Sequence, residues 1–275
     1  MDENTKIIKD FYDKTVTDEW ERIADTPEFF LTCRMLDRYI KQNDTVLDIG
    51  GGPGRYSFYL AKKGCDVTLL DLSTENIKFV NEHSIQQNLS VKTVCGNAVE
   101  ADKVVKGQFN HVLLMGPLYH LFDEEQRIAA INKALSLLKP NGIFFASFIN
   151  MIAGIIYTMK ADPGRIDKTE SNKHVYLNNL YARKSFVGEA FTRVFFIEQS
   201  EILPFMRRFP LEKLHLFGQQ GIMLPYEDSI MTQSKAVVDS WLDMCERLWE
   251  REEFFSWSTN LMYVGKLLKN SSVMS

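Results

Sequence analysis

The sequence predicts an α/β protein with a mostly parallel sheet and helices on both faces. Three observations lead there. Five short apolar runs alternate with segments of helical period between Thr45 and Asn150, a glycine cluster follows the first run, and strand patterns return near the end of the chain.

Ahead of the sheet, Phe29, Cys33, Leu36 and Ile40 recur at helical spacing and mark an amphipathic helix expected across the sheet or its edge. Thr45 to Ile49 reads as the first strand, Gly50-Gly51-Gly52-Pro53-Gly54 as a tight turn, and Arg55 to Lys63 as a helix stopped by Gly64. Cys65 to Leu70 is the second strand, ending at Asp71, and from about Thr74 a helix carries Ile77, Val80, Ser84 and Ile85 on one face. Val91 to Cys95 and Phe109 to Met115 are the third and fourth strands. Asp123 caps a helix that turns Ile128, Ile131, Leu135 and Leu138 inward, and Lys139-Pro140-Asn141-Gly142 breaks it before a fifth strand, Ile143 to Ile149. The pattern then loosens into helical, aromatic-rich segments. Leu211 to Phe217 and Asn260 to Leu268 read as the closing strands, joined by a long helix with Val237, Val238, Trp241, Cys245, Leu248 and Trp249 at its spacing. Four regions follow: an N-terminal helical cover (1–44), the core (45–150), a helical insert expected to serve as a substrate lid (151–210), and the strands and helix that complete the sheet (211–275).

The 275 residues, 45% hydrophobic and 25% charged, are enough for a sizeable core. A formal net charge of -4 and the absence of a long Lys/Arg run argue against tight nucleic-acid binding, so a small acceptor molecule fits better as partner. The polar stretch Met1 to Asp10 has no apolar core of a secretory signal, and the run Ile143 to Tyr157 is too short to cross a bilayer. With Cys33, Cys65, Cys95 and Cys245 far apart and no C-x-x-C pair, a reducing cytoplasm is the expected location. The oligomeric state is not legible.

Gly50, Gly52 and Gly54 form G-x-G-x-G, a loop whose backbone can approach a ligand closely. The dinucleotide fingerprint G-x-G-x-x-G fits no register of the cluster, since its last position falls on Arg55 or Ser57. Asp48, just before the loop, suits a cationic ligand. Asp71 ends the second strand about 20 residues on, where a carboxylate accepts ribose hydroxyl hydrogens. Asp71 could instead cap the next helix, although Ser73 is equally placed to do so.

Val46 to Tyr56 resembles motif I of the class I S-adenosylmethionine-dependent methyltransferases. Leu69 to Ser73, Cys95 to Ala98, Phe109 to Met115 and Leu137 to Gly142 resemble the family's next four motifs, in family order. The resemblance covers about Lys41 to Ile149, and the closing strands resemble the family's reversed hairpin. It implies a Rossmann-like, seven-stranded, mostly parallel sheet with an antiparallel last strand, and S-adenosylmethionine as cofactor. It also implies that Gly50, Gly51, Gly52 and Gly54 shape the cofactor pocket, that Asp71 binds the ribose and that Leu72 packs on the adenine. Asn97 stands where the family commonly has an acid; its amide oxygen can accept from the adenine amino group, and the Ala98 N–H can donate to the ring. Met115 is expected near the methionine part of the cofactor, and Tyr12 and Trp20 resemble aromatic residues of an N-terminal cover.

Because a sulfonium is already a strong electrophile, alignment and exclusion of water are the main demands on the protein. His120, just past the fourth strand, is the candidate general base and Tyr119 its neighbour; His120 could equally fix the loop through a backbone hydrogen bond. No metal site is expected, as His83, His111 and His215 lack partners at ligand spacing. The expected function is methylation of a small molecule. The alternatives are an RNA or protein methyltransferase, or a cofactor-binding regulatory protein without turnover.

Overall fold

The computed structural model describes residues 2–167 and 171–269. Met1, 168–170 and 270–275, which fall in three of the regions outlined above, lie outside the described residues. The chain runs through α1 (Glu3–Lys14), α2 (Val16–Arg22), α3 (Pro27–Tyr39), β1 (Thr45–Ile49), α4 (Arg55–Lys62), β2 (Asp66–Asp71), α5 (Thr74–Gln87) and β3 (Val91–Cys95). It continues through α6 (Ala101–Val104), β4 (Phe109–Leu114), α7 (Glu124–Ser136), β5 (Leu138–Ile149), α8 (Ala153–Ala161) and α9 (Ser171–Tyr181). Then come β6 (Phe186–Glu189), β7 (Arg193–Phe196), α10 (Gln199–Met206), β8 (Leu211–Gly218), α11 (Glu227–Ile230), α12 (Lys235–Leu248) and β9 (Asn260–Leu267).

Local chemistry sets the helix starts. Asp2 accepts the Thr5 N–H, Thr26 accepts the Phe29 N–H with Pro27 in the first turn, and Ser73 accepts the Asn76 N–H. Seven strands form one sheet in the order β3-β2-β1-β4-β5-β9-β8. β1 to β5 pair in parallel, β9 runs antiparallel to β5, and β8 is antiparallel to β9. The strand order reverses between β1 and β4, each of which is followed by a loop at its carboxyl end; a crevice opens there in such sheets.

Alternate strand residues supply two cores. Leu47, Ile49, Val112, Leu114, Phe144 and Phe148 pack on one face with α7 residues such as Ile131 and Leu135. Val46, Leu69, Leu113, Phe145 and Met262 pack on the other with Leu31, Met35 and Leu36 of α3 and with Leu242 and Cys245 of α12. At about 25 cal/mol per Å2 of apolar surface removed from water, each fully buried Phe or Leu stabilises the sheet by roughly 1.5–3 kcal/mol.

Several expectations need correction. Ile85, placed on one helix face with Val80, is 82% exposed; α5 is anchored by Asn76 and Val80 in its first half. Leu138 belongs to β5, because α7 ends at Ser136 and Asn141 takes φ 63 without ending the strand. The insert is not purely helical: β6 and β7 form a separate antiparallel hairpin, with Phe186 opposite Phe196. No helix among the described residues is long and apolar enough to cross a membrane.

Candidate active site

Beyond the carboxyl ends of β1, β2 and β4 lies a cavity of about 150 Å3, lined on one side by residues of α1 and α2. A single water needs about 10–15 Å3 by this measure, so the space is ligand-sized. Glycine is obligatory on its wall. At Gly50 (φ +70) an added Cβ would lie 2.5 Å from the Pro117 ring, and at Gly51 it would lie 2.7 Å from Asp48 Oδ2. Gly54, expected in the pocket, lies behind it instead: at φ +87 it starts α4 and packs against Val80 and Leu69.

Asp48 is buried, accepts from the Ser57 hydroxyl at 2.7 Å, and lines the cavity. Burial, with a small push from Asp71 and opposed by Ser57, raises its carboxyl to about 7. Asp71 uses Oδ2 to accept the Gly52 N–H at 2.8 Å, and Oδ1 to accept the Ser73 N–H at 2.8 Å and the Asn76 amide at 3.1 Å. A carboxylate has about four lone-pair sites, so one remains, on Oδ2. Ser73 caps α5, as the alternative allowed, while Asp71 ties the glycine bend to the turn after β2. The carboxylate thus has room for one further donor. Burial outweighs its three donors and lifts its pKa above the usual carboxylate range.

Leu72, Asn97, Ala98 and Met115 line the same cavity. The Asn97 oxygen accepts the Val99 N–H at 3.2 Å, which leaves it one lone pair for a ligand.

Tyr12 and His120 meet on the cavity wall, with the Tyr12 hydroxyl 2.6 Å from His120 Nε2. His120 Nδ1 lies 3.0 Å from the Arg193 carbonyl of the inserted hairpin. A carbonyl only accepts, so the ring proton sits on Nδ1, Nε2 accepts, and Tyr12 donates to it. Burial lowers the imidazole to about 4, against the Arg193 carbonyl, and keeps it neutral. With Nε2 engaged by Tyr12 and Nδ1 by the Arg193 carbonyl, His120 has no free ring lone pair in this structure. It acts as a bracket joining α1, the β4 loop and the hairpin. Tyr119 lines the cavity with its pKa raised, chiefly by burial, so its hydroxyl stays protonated. Elsewhere α1 is pinned by Ser73 donating to Asp13 at 2.6 Å, and α2 by Arg55 lying 3.5 Å over the Trp20 ring.

A second group of cavity residues carries no signal in the sequence: Glu19, Arg22, Glu28, Ser147, Gln219 and Asn260. They come from α2, the first turn of α3, and the ends of β5, β8 and β9, and belong to no local pattern. Arg22 is half exposed toward the cavity, donates to Glu19 at 3.0 Å, and lies 3.9 Å from Glu28. Burial lowers its pKa, but Glu28 and Glu19 together carry it above the ordinary arginine value. Burial raises Glu28, only partly offset by Arg22 and Gln220. Beneath them Ser147 donates to Gln219, which donates to Thr32 at 3.0 Å.

Residues 46–142 match a family described as a methyltransferase domain. The ubiquinone biosynthesis O-methyltransferase of Xanthomonas campestris pv. campestris is 34% identical over 105 residues, which is 38% of this chain and 43% of that protein. The chain thus spans less than half the length of such curated relatives. Among solved structures, the 1,6-didemethyltoxoflavin-N1-methyltransferase of Burkholderia thailandensis, with its substrate and S-adenosylhomocysteine bound, superposes with a TM-score of 0.59 at 14% identity, covering 96% of this chain and 88% of that one. The N-methyltransferase NodS of Bradyrhizobium japonicum, in complex with S-adenosylhomocysteine, gives 0.57 at 13% identity over 96% and 99%. The sheet is that of a Rossmann-like methyltransferase fold. Residues 46–142 thus carry a methyltransferase domain, with the five motifs in order within it.

Proposed function

We infer that this protein transfers the methyl group of S-adenosylmethionine to a small-molecule acceptor. One observation carries the reading: one continuous cavity joins the glycine bend and Asp71 to a chamber lined by Glu19, Arg22 and Glu28 beyond the end of β4. The residues fit the cofactor. The remaining lone pair of Asp71 takes a ribose hydroxyl, the Asn97 oxygen and Ala98 N–H face the adenine, and Asp48 faces the cationic methionine end. Arg22 receives the carboxylate, because Lys9 is held by Asp13 and Arg55 by Trp20. When bound, the cofactor supplies an electrophilic methyl group. The chain's part is to hold the acceptor in line with it and to keep water out, which α1 and α2 do by roofing the cavity. The same roof disfavours a nucleic acid or a protein chain as acceptor. The four cysteines, all free, accord with a reducing cytoplasm.

Incubation with methyl-labelled S-adenosylmethionine and a metabolite panel tests this. Release of S-adenosylhomocysteine that depends on a small acceptor is expected. Label passing only to RNA or protein would replace the reading with the macromolecular one.

A further inference from the structure

The chamber at the acceptor end has a composition of its own. Two acidic side chains, Glu19 and Glu28, face one guanidinium, Arg22, so acidic groups outnumber basic ones. Gln220 holds Glu28 from behind, donating to Oε2 at 2.9 Å, and Oε1 has no hydrogen-bond partner among the described residues. The rings of Tyr12, Tyr56 and Tyr119 stand around them. The Tyr56 hydroxyl is buried and makes no hydrogen bond, lying near Thr32 without the geometry for one. A buried polar atom left unpaired is costly, and here it lies beside an unpaired carboxylate oxygen on the wall of a ligand-sized space. Carboxylates with clustered aromatic faces make an environment for a cation, since the ring faces are negative and the carboxylates supply the counter-charge.

We propose that this chamber is the binding site for a protonated amine on the methyl acceptor, its N–H groups donating to Glu28 Oε1 and the Tyr56 hydroxyl oxygen among the three tyrosine rings. The proposal rests on the assignment of the glycine side of the cavity to the methyl donor. It commits the acceptor to a cation. An anionic acceptor would meet two carboxylates, because Arg22 is assigned to the carboxylate of the methyl donor. A neutral phenol would leave the excess acidic group of the chamber unbalanced.

The test is calorimetric titration in two stages. S-adenosylhomocysteine is titrated first, and absence of binding at this stage refutes the donor-side assignment rather than the chamber. The resulting complex is then titrated with 2-phenylethylamine, 4-ethylphenol and 3-phenylpropionate, probes of similar size that differ in head group. The amine is expected to bind at least tenfold more tightly than the other two. Glu28→Gln, nearly the same in shape, is expected to weaken the amine at least tenfold and to leave the phenol within twofold. Should Glu28→Gln fail to fold, Glu19→Gln at a more accessible position is expected to weaken the amine several-fold. The proposal is overturned if none of the three binds, if the phenol or the carboxylate binds most tightly, or if the amine binds a folded carboxamide variant as well as it binds the wild type.

Discussion

Replacing Asp71 with alanine separates a structural role from a ligand role within one side chain. The carboxylate accepts three buried donors: the Gly52 N–H, the Ser73 N–H and the Asn76 amide. Leaving one buried donor unpaired costs about 1–3 kcal/mol. The full sum is not reached, because burial already makes the ionised carboxylate unfavourable, and its removal returns part of that cost. A net loss of roughly 1–3 kcal/mol in unfolding free energy is expected, read by denaturant melts. The remaining lone pair on Oδ2 makes one charge-assisted bond to the ribose, worth about 1.5–3 kcal/mol. That corresponds to a roughly tenfold to 150-fold weaker affinity for S-adenosylhomocysteine, measured by calorimetry well below the melting temperature. A folded Asp71→Ala protein that binds as tightly as the wild type would refute the ribose assignment. One that melts unchanged would refute the clamp.

Gly50→Ala places a Cβ 2.5 Å from the Pro117 ring at φ +70; left-handed backbone alone costs about 1–2 kcal/mol, so both melting temperature and cofactor affinity should fall, and an unshifted melt would contradict the packing. The Asp48 carboxyl is raised from 3.8 to about 7, so its contribution to stability is full below about pH 4 and is lost as the pH climbs through 7. Asp48→Asn should flatten that decline in melts at pH 4.5 and 7.5. For ligands the sign reverses: the ionised carboxylate attracts the cationic donor, so the affinity ratio of S-adenosylmethionine to S-adenosylhomocysteine should rise between pH 6 and 8, and a flat ratio would remove Asp48 from the cationic end. Tyr12→Phe strips the donor from His120 Nε2 and should lower stability by about 1–3 kcal/mol, whereas an unaltered melt would mean that the bracket contributes nothing.

The strands and the donor half of the site were legible because both are local. Val46 to Ile49 followed by glycines announces a buried strand and a bend, and Asp71 at the end of the next strand falls beside that bend through the parallel register that pairs Ile49 with Leu70. Ile85 misled because helical periodicity identifies a face without saying how far along the helix that face stays covered. The β6–β7 hairpin escaped notice because each strand has only four residues, Gly188 interrupts the first, and the turn lacks an Asn-Gly type pair. The acceptor half was invisible for a different reason. Glu19, Glu28 and Gln219 meet only after α2, α3 and the end of β8 have converged, and no spacing in a chain encodes a contact between residues so far apart. His120 was found by position, but its chemistry depends on two remote partners, Tyr12 and the Arg193 carbonyl, which engage both ring nitrogens.

The central claim is that the glycine bend and Asp71 hold an adenosine-bearing methyl donor, with its methionine end directed toward Asp48 and Arg22. A crystal structure of the S-adenosylhomocysteine complex tests it most directly. The account predicts a ribose hydroxyl within hydrogen-bond distance of Asp71 Oδ2 and the ligand carboxylate on Arg22. A nucleoside bound elsewhere, or a ribose turned away from Asp71, would contradict it.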